Sequence, residues 1–237
     1  QFAVLNSMGS DLPKVWEKIV NDLGFWNQSE KRQQFIDIAT LASSELSSEQ
    51  LSNSFAVCSK LEDVAMGRQL ALALLRKGRL SSRELGQYRV VLAPIIRDTT
   101  LTVREGIASS NQLVESMELL GKLRVPQLVE LVNVVLDRDS SSELVVQSLR
   151  VCQELKDPSL LALAEERFHR FLPAARRQFL SLYFETSIRL ERILDWIDAG
   201  QLAVRELSDR QKSLLLKHKD SRIRERAGLL LARKRVD

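Results

Sequence analysis

The stretch LLLKHKDSRIRERAGLLLARKRV, residues 214–236, decides the fold. It reads as the end of one helix, a short turn at Lys219-Asp220, and a second helix whose apolar face is Ile223, Ala227, Leu230 and Leu231. Spacings of three and four residues put those side chains on one face. The clearest echo is KDPSLLALA, residues 156–164. Aligned with KDSRIRERA, residues 219–227, it repeats Lys-Asp, an aliphatic residue at Leu160 and an alanine at Ala164. Pro158 falls where a first helical residue needs no amide hydrogen. DTTLTVREGIA, residues 98–108, reads as an imperfect copy, with Val103-Arg104 and Ala108 in place after extra residues.

Between these echoes, helix-start signals recur. Ser29 precedes a helix through Phe35, Ile36, Ile38 and Leu41. SSEQ at 47–50, SSRE at 81–84, SSSE at 140–143 and SDRQ at 208–211 are capping-box patterns, each followed by apolar residues at helical spacing. Asp63 lies near the start of another helix, and Pro94 is expected to kink or close the helix that SSRE opens. LALALL at 70–75 and LVELVNVVL at 128–136 read as buried helix stripes, far short of the ~20 apolar residues that span a bilayer. No stretch alternates as a strand would. The order of Asp, Ile-Arg, Ala and Leu in the C-terminal stretch is the second-helix pattern of HEAT-type repeats. Intervals are uneven: 41 residues separate Asp98 from Asp139, but 63 separate Asp157 from Asp220. The reading is an all-α solenoid of degenerate HEAT/armadillo-like helical hairpins, one domain over 1–237, cut from a longer chain.

Charge is concentrated at one end. Residues 205–237 hold 11 Lys/Arg and 5 Asp/Glu, a net of +6, while the rest of the chain carries −2. A basic balance confined to the C-terminus disfavours a surface built throughout for nucleic acid.

Three segments carry a more specific likeness: AVLNSMGSDLPKVWEKIVND near the start, RRQFLSLYFE with RLERILDWIDAGQL later, and LSDRQKSLLLKHKDSRIRERAGLLL at the end. They resemble the helical-repeat region of large planctomycete-type exported proteins. In that family the resemblance implies a membrane-bound-dehydrogenase type β-propeller before the helical region and a c-type cytochrome domain after it. No redox residue of the family maps onto this chain. Cys58 is followed by SKLED and Cys152 by QELKD, neither a haem-attachment motif. The resemblance therefore implies a spacer or scaffold without cofactor or metal, whose partners are proteins or the flanking domains.

Residue by residue, the chemistry is sparse. His169 and His218 stand in separate helices without ligand-spaced neighbours and read as surface histidines. Glu165-Glu166, beside Arg167 and Arg170, reads as a solvated face. Cys58 and Cys152 read as buried small hydrophobes, with a disulfide between them as the open alternative. Phe168, Phe171, Phe179, Tyr183 and Phe184 have core spacing. Trp16, Phe25 and Trp26 are expected to form an apolar patch for a preceding repeat. The candidate contact for an anionic partner is the last helix. There Arg222, Arg226 and Arg233 form one stripe, and Arg224 and Arg235 a second. The favoured function is a non-enzymatic protein-interaction scaffold; the alternative is a DNA-repair type solenoid using that basic helix.

Overall fold

The computed structural model describes residues 11–21, 31–77, 80–138, 140–186 and 190–233. Among them every regular element is helical, with fourteen α-helices and two short 3-10 segments. Contacts divide the chain into two compact units, Gln1–Val135 and Leu136–Asp237.

In the first unit the helices are α1 (Leu12–Asn21), α2 (Arg32–Ala42), α3 (Ser48–Cys58), α4 (Val64–Lys77), α5 (Ser82–Val91), α6 (Ala93–Glu105), α7 (Ser110–Leu123) and most of α8 (Leu128–Asp137). Their starts follow the capping chemistry. Ser47 and Ser81 accept from the amides of Gln50 and Glu84, whose side chains bond back to the cap amide. A third box, Ser109 with Gln112, opens α7 and is absent from the sequence reading. Pro94 closes one helix and opens another, since α5 stops at Val91 and α6 begins at Ala93. The copy of the repeat motif read at residues 98–108 is corrected here. Asp98 lies inside α6, which ends before Ala108, at Gly106 in the left-handed conformation (φ 69°). Ser29 lies outside the described residues.

Helix α4 is the centre of this unit, touching α2, α3, α6 and α7. Residues 70–75 are buried at every position, none more than 3% exposed, as expected of a helix covered on all sides. Its close approach to α3 depends on Gly67, where a Cβ would come within 2.5 Å of the Cys58 carbonyl oxygen. Arg68 is only 4% exposed, and its Nε makes no hydrogen bond among the described residues; nothing in the packing explains that.

Non-consecutive helices are joined in register. Arg76 of α4 makes a two-pronged bond to Glu118 of α7, at 3.1 and 3.0 Å, and Gln69 reaches Glu115 one to two turns earlier on both helices. Residue numbers rise together, so α4 and α7 run in the same direction. The same holds for α3 and α5: Ser48 bonds Glu84 and receives the Tyr88 hydroxyl on its carbonyl, and Ser59 donates to the Val91 carbonyl. Trp16 of α1 donates from Nε1 to Ser54 Oγ of α3 at 2.8 Å. Trp16 is 2% exposed, so the expected apolar patch is corrected at that residue, which is core. Phe25 and Trp26 lie outside the described residues.

The second unit contains α9 (Ser142–Leu155), α10 (Pro158–Arg167), α11 (Pro173–Thr186), α12 (Leu190–Asp198), α13 (Asp209–Leu216) and α14 (Ser221–Arg233). The SSSE reading is corrected by one residue. Ser141 is the cap, accepting from the Leu144 amide, so no box with Glu143 forms. The sequence echo is a structural equivalence: Asp157 accepts from the Ser159 amide at 2.8 Å, and Asp220 from the Arg222 amide at 2.8 Å. Each aspartate therefore caps its helix two residues on. Side-chain bonds between non-consecutive helices here link residues 25 to 31 apart, among them Gln153–Gln178, Glu165–Arg192, Asp137–Arg167 and Asp195–Arg226. The 63-residue interval is thus close to two such steps, with α12 between α10 and α14.

Glu84 joins both kinds of contact. Accepting from Ser48 first, and then from the Ser81 hydroxyl and amide, lowers its carboxyl to about 2 from 4.5. The stabilisation is present above about 4.5 and is lost as pH falls towards 2. Denaturant titrations across that window are expected to show a shallower acid loss for Glu84→Gln than for the parent chain. Equal slopes would remove the bridge from the account of α3 and α5.

Candidate functional site

The site predicted from sequence lies on α14, which packs against α12 and α13. Ile223, Ala227 and Leu230 are buried against them, and the arginines occupy the remaining faces. Their environments differ. Arg226 donates to Asp195 at 2.7 Å and lies 3.7 Å from Asp198, so its charge is matched by α12. Arg224 donates through Nη1 to the carbonyls of His218 and Lys219, at 2.7 and 2.8 Å. Those carbonyls lie in the turn between α13 and α14 and would otherwise need water, so Arg224 holds that turn from the helix that follows it. Arg222 is exposed and its guanidinium has no partner among the described residues. The Arg233 side chain and Arg235 lie outside what the structure describes. Of the predicted stripe, one described guanidinium faces water and another is engaged by two carboxylates.

The remaining candidates sort by packing. Glu165 is not on a solvated face, which corrects that expectation. Its side chain, 12% exposed, accepts from Arg192 at 3.0 Å and from the Tyr183 hydroxyl at 3.3 Å, tying α10 to α11 and α12. Glu166, 72% exposed, pairs with Arg167, whose Nε also meets Asp137 at 2.6 Å. That bond to Asp137 holds the Arg167 guanidinium protonated above its ordinary value. His218 accepts the Asp220 amide on Nδ1 at 3.1 Å and so shapes the turn into α14. His169 is an exposed member of the 3-10 turn after α10. Among the described residues no group of three metal-ligating side chains converges, and no helix is long and apolar enough to cross a membrane.

The aromatic residues are core, with one member that spacing did not reveal. Phe168, Phe179 and Tyr183 surround Trp196 of α12, and the Phe168 ring stacks on the indole at 4.6 Å. Arg176 of α11 lies over the Phe168 ring. Its guanidinium stands 4.6 Å from the Phe168 centroid, donates to the Gln201 carbonyl at 2.6 Å and lies 2.9 Å from Glu206. Rings so held are not available for stacking on bases. Trp196 carried a signal in sequence, an apolar residue three after Ile193, but its partners lie on other helices.

No family model matches the chain, and no curated protein or solved structure is similar enough to count as a match.

Cys58 and Cys152 are free and buried, in agreement with their reading as small hydrophobes. Burial pushes both thiols up to about 12. At pH 8 that leaves about one thiolate in ten thousand. A thiol-reactive disulfide reagent is therefore expected to label neither cysteine in the native chain at pH 8, and both in strong denaturant. Rapid native labelling would contradict the packing around α3 and α9.

Proposed function

We propose that the chain is a non-enzymatic helical-repeat scaffold, built as an α-solenoid of HEAT/armadillo-like hairpins, that holds a protein partner or spaces flanking domains. The observation that carries this reading is the registered bonding between non-consecutive, co-directional helices: α4 with α7 and α3 with α5. Successive hairpins of a repeat protein place equivalent helices side by side in that way. Steps of 25 to 31 residues in the second unit favour the same reading with a shorter repeat than HEAT intervals of ~40–47. A scaffold works through the side chains that such stacking leaves outside. The likeness of three segments to the region between propeller and cytochrome domains in planctomycete-type exported proteins supports a spacer role within a longer chain.

The nucleic-acid alternative rests on the arginines of α14. A duplex needs guanidinium groups that can exchange counterions for phosphates. Arg226 is already matched by Asp195 and Asp198, and Arg224 by backbone carbonyls, so engaging a phosphate would break existing bonds. Binding of short duplex and single-stranded DNA at about 50 and 200 mM salt separates the two. The scaffold reading expects no complex tighter than about 1 µM at the lower salt. A tighter complex that weakens steeply with salt, and is abolished by Arg222→Glu with Arg226→Glu, would transfer the function to nucleic acid.

A further inference from the structure

Two helices of the second unit meet with opposite charge. On α12, Glu191, Asp195 and Asp198 recur at helical spacing, each at an exposed or half-exposed position. On α14, Arg222 and Arg226 lie one turn apart on one face. Arg226 is held by two of the acids, 2.7 Å from Asp195 and 3.7 Å from Asp198. Its side chain is 39% exposed, and those of the acids 45% and 55%. Ion pairs this wet add little to stability, so holding the fold together does not account for two carboxylates on one guanidinium. The other charges nearby are engaged or balanced. Arg192 of α12 is bonded to Glu165, and Asp220 accepts from the Arg222 amide at the start of α14. Glu225 and Lys219, both exposed, are one of each sign.

We infer that Asp195 and Asp198 are selectivity residues: they give Arg226 the negative charge that a nucleic-acid backbone would bring, and so keep nucleic acid off the α14 arginines. The inference rests on the scaffold reading and names what makes that scaffold refuse a polyanion. A phosphate approaching Arg222 and Arg226 meets two guanidinium charges and, beside them, two carboxylates of equal and opposite charge. Salt does not separate the two sets. At 0.1 M the screening length is about 10 Å, longer than either contact to Arg226, so a phosphate senses acids and arginines together. Affinity for a nucleic acid comes from cations that replace its counterions, and a guanidinium already neutralised by carboxylates replaces none. Asparagine in place of either aspartate keeps an oxygen that can accept from Arg226 but removes the opposing charge. The arginines would then act as a phosphate-binding pair.

Fluorescence anisotropy of the whole chain with a fluorescein-labelled oligothymidylate tests this at about 50 mM salt. The parent chain is expected to bind no tighter than about 1 µM. Asp195→Asn with Asp198→Asn is expected to tighten binding by about tenfold or more, and Arg222→Glu in that background to remove the gain. Glu45→Gln with Glu62→Gln changes the net charge equally, at exposed positions of the first unit, and is expected to match the parent. Asp198→Asn alone, at the more exposed acid, is expected to give a smaller gain, and it decides the matter where far-UV circular dichroism shows the double variant altered. No gain in a variant with parental circular dichroism, an equal gain in the first-unit control, or a gain indifferent to Arg222→Glu would each overturn the inference while leaving the scaffold reading in place. Tight, salt-sensitive binding by the parent chain that depends on Arg222 would instead remove the scaffold reading beneath it.

Discussion

A pair of short amphipathic helices cannot cover its own apolar surface; each pair needs a neighbour on at least one side. That constraint shapes both units. In the first, α4 is buried all round because α2, α3, α6 and α7 each cover part of it. Its polar ends still reach out, through Arg76 and Gln69 to α7. Bonds of this sort, about 0–1 kcal/mol when exposed, add little to stability compared with burial. What they add is register, because each two-pronged or capped bond forms at one sliding position of a helix against its neighbour.

In the second unit the same constraint is met by rings. Phe168 ends α10, Phe179 and Tyr183 come from α11, and Trp196 comes from α12. Tilted and stacked contacts at 4.6–5.8 Å let three helices share one core. Polar groups at its edge follow from that convergence. Glu165 is drawn inward and must find Arg192 and Tyr183, since a half-buried carboxylate without donors would be costly. Arg176 lies over Phe168 and pins the segment at Gln201 and Glu206 that leads to α13.

The helical content was legible in sequence because caps and apolar spacing are local. Ser47, Ser81 and Ser208 cap as their patterns require, and the equivalence of Asp157 with Asp220 could be read from an alignment of nine residues. Errors arose where a local pattern has two registers. SSSE contains three serines, and the structure uses Ser141. Asp98 resembles a helix start, but the helix had already begun at Ala93. The candidate site was less legible for a different reason. The arginines of α14 were visible as a stripe, yet Asp195 and Asp198, which match Arg226, lie about thirty residues upstream on another helix. Partners at that distance in sequence become neighbours only through stacking. The same holds for Trp16 and Ser54, 38 residues apart.

In the repeat architecture proposed above a defect spreads first to neighbouring helices, so the most direct measurement is amide hydrogen exchange of Trp16→Ala, which removes the indole buried between α1 and α3. Neighbour-by-neighbour stacking gives faster exchange in α1, α2 and α3, with α7 keeping the protection of the parent chain. A matching loss of protection in α1, α3 and α7 together would show one indivisible core in the first unit and contradict the proposed repeat architecture.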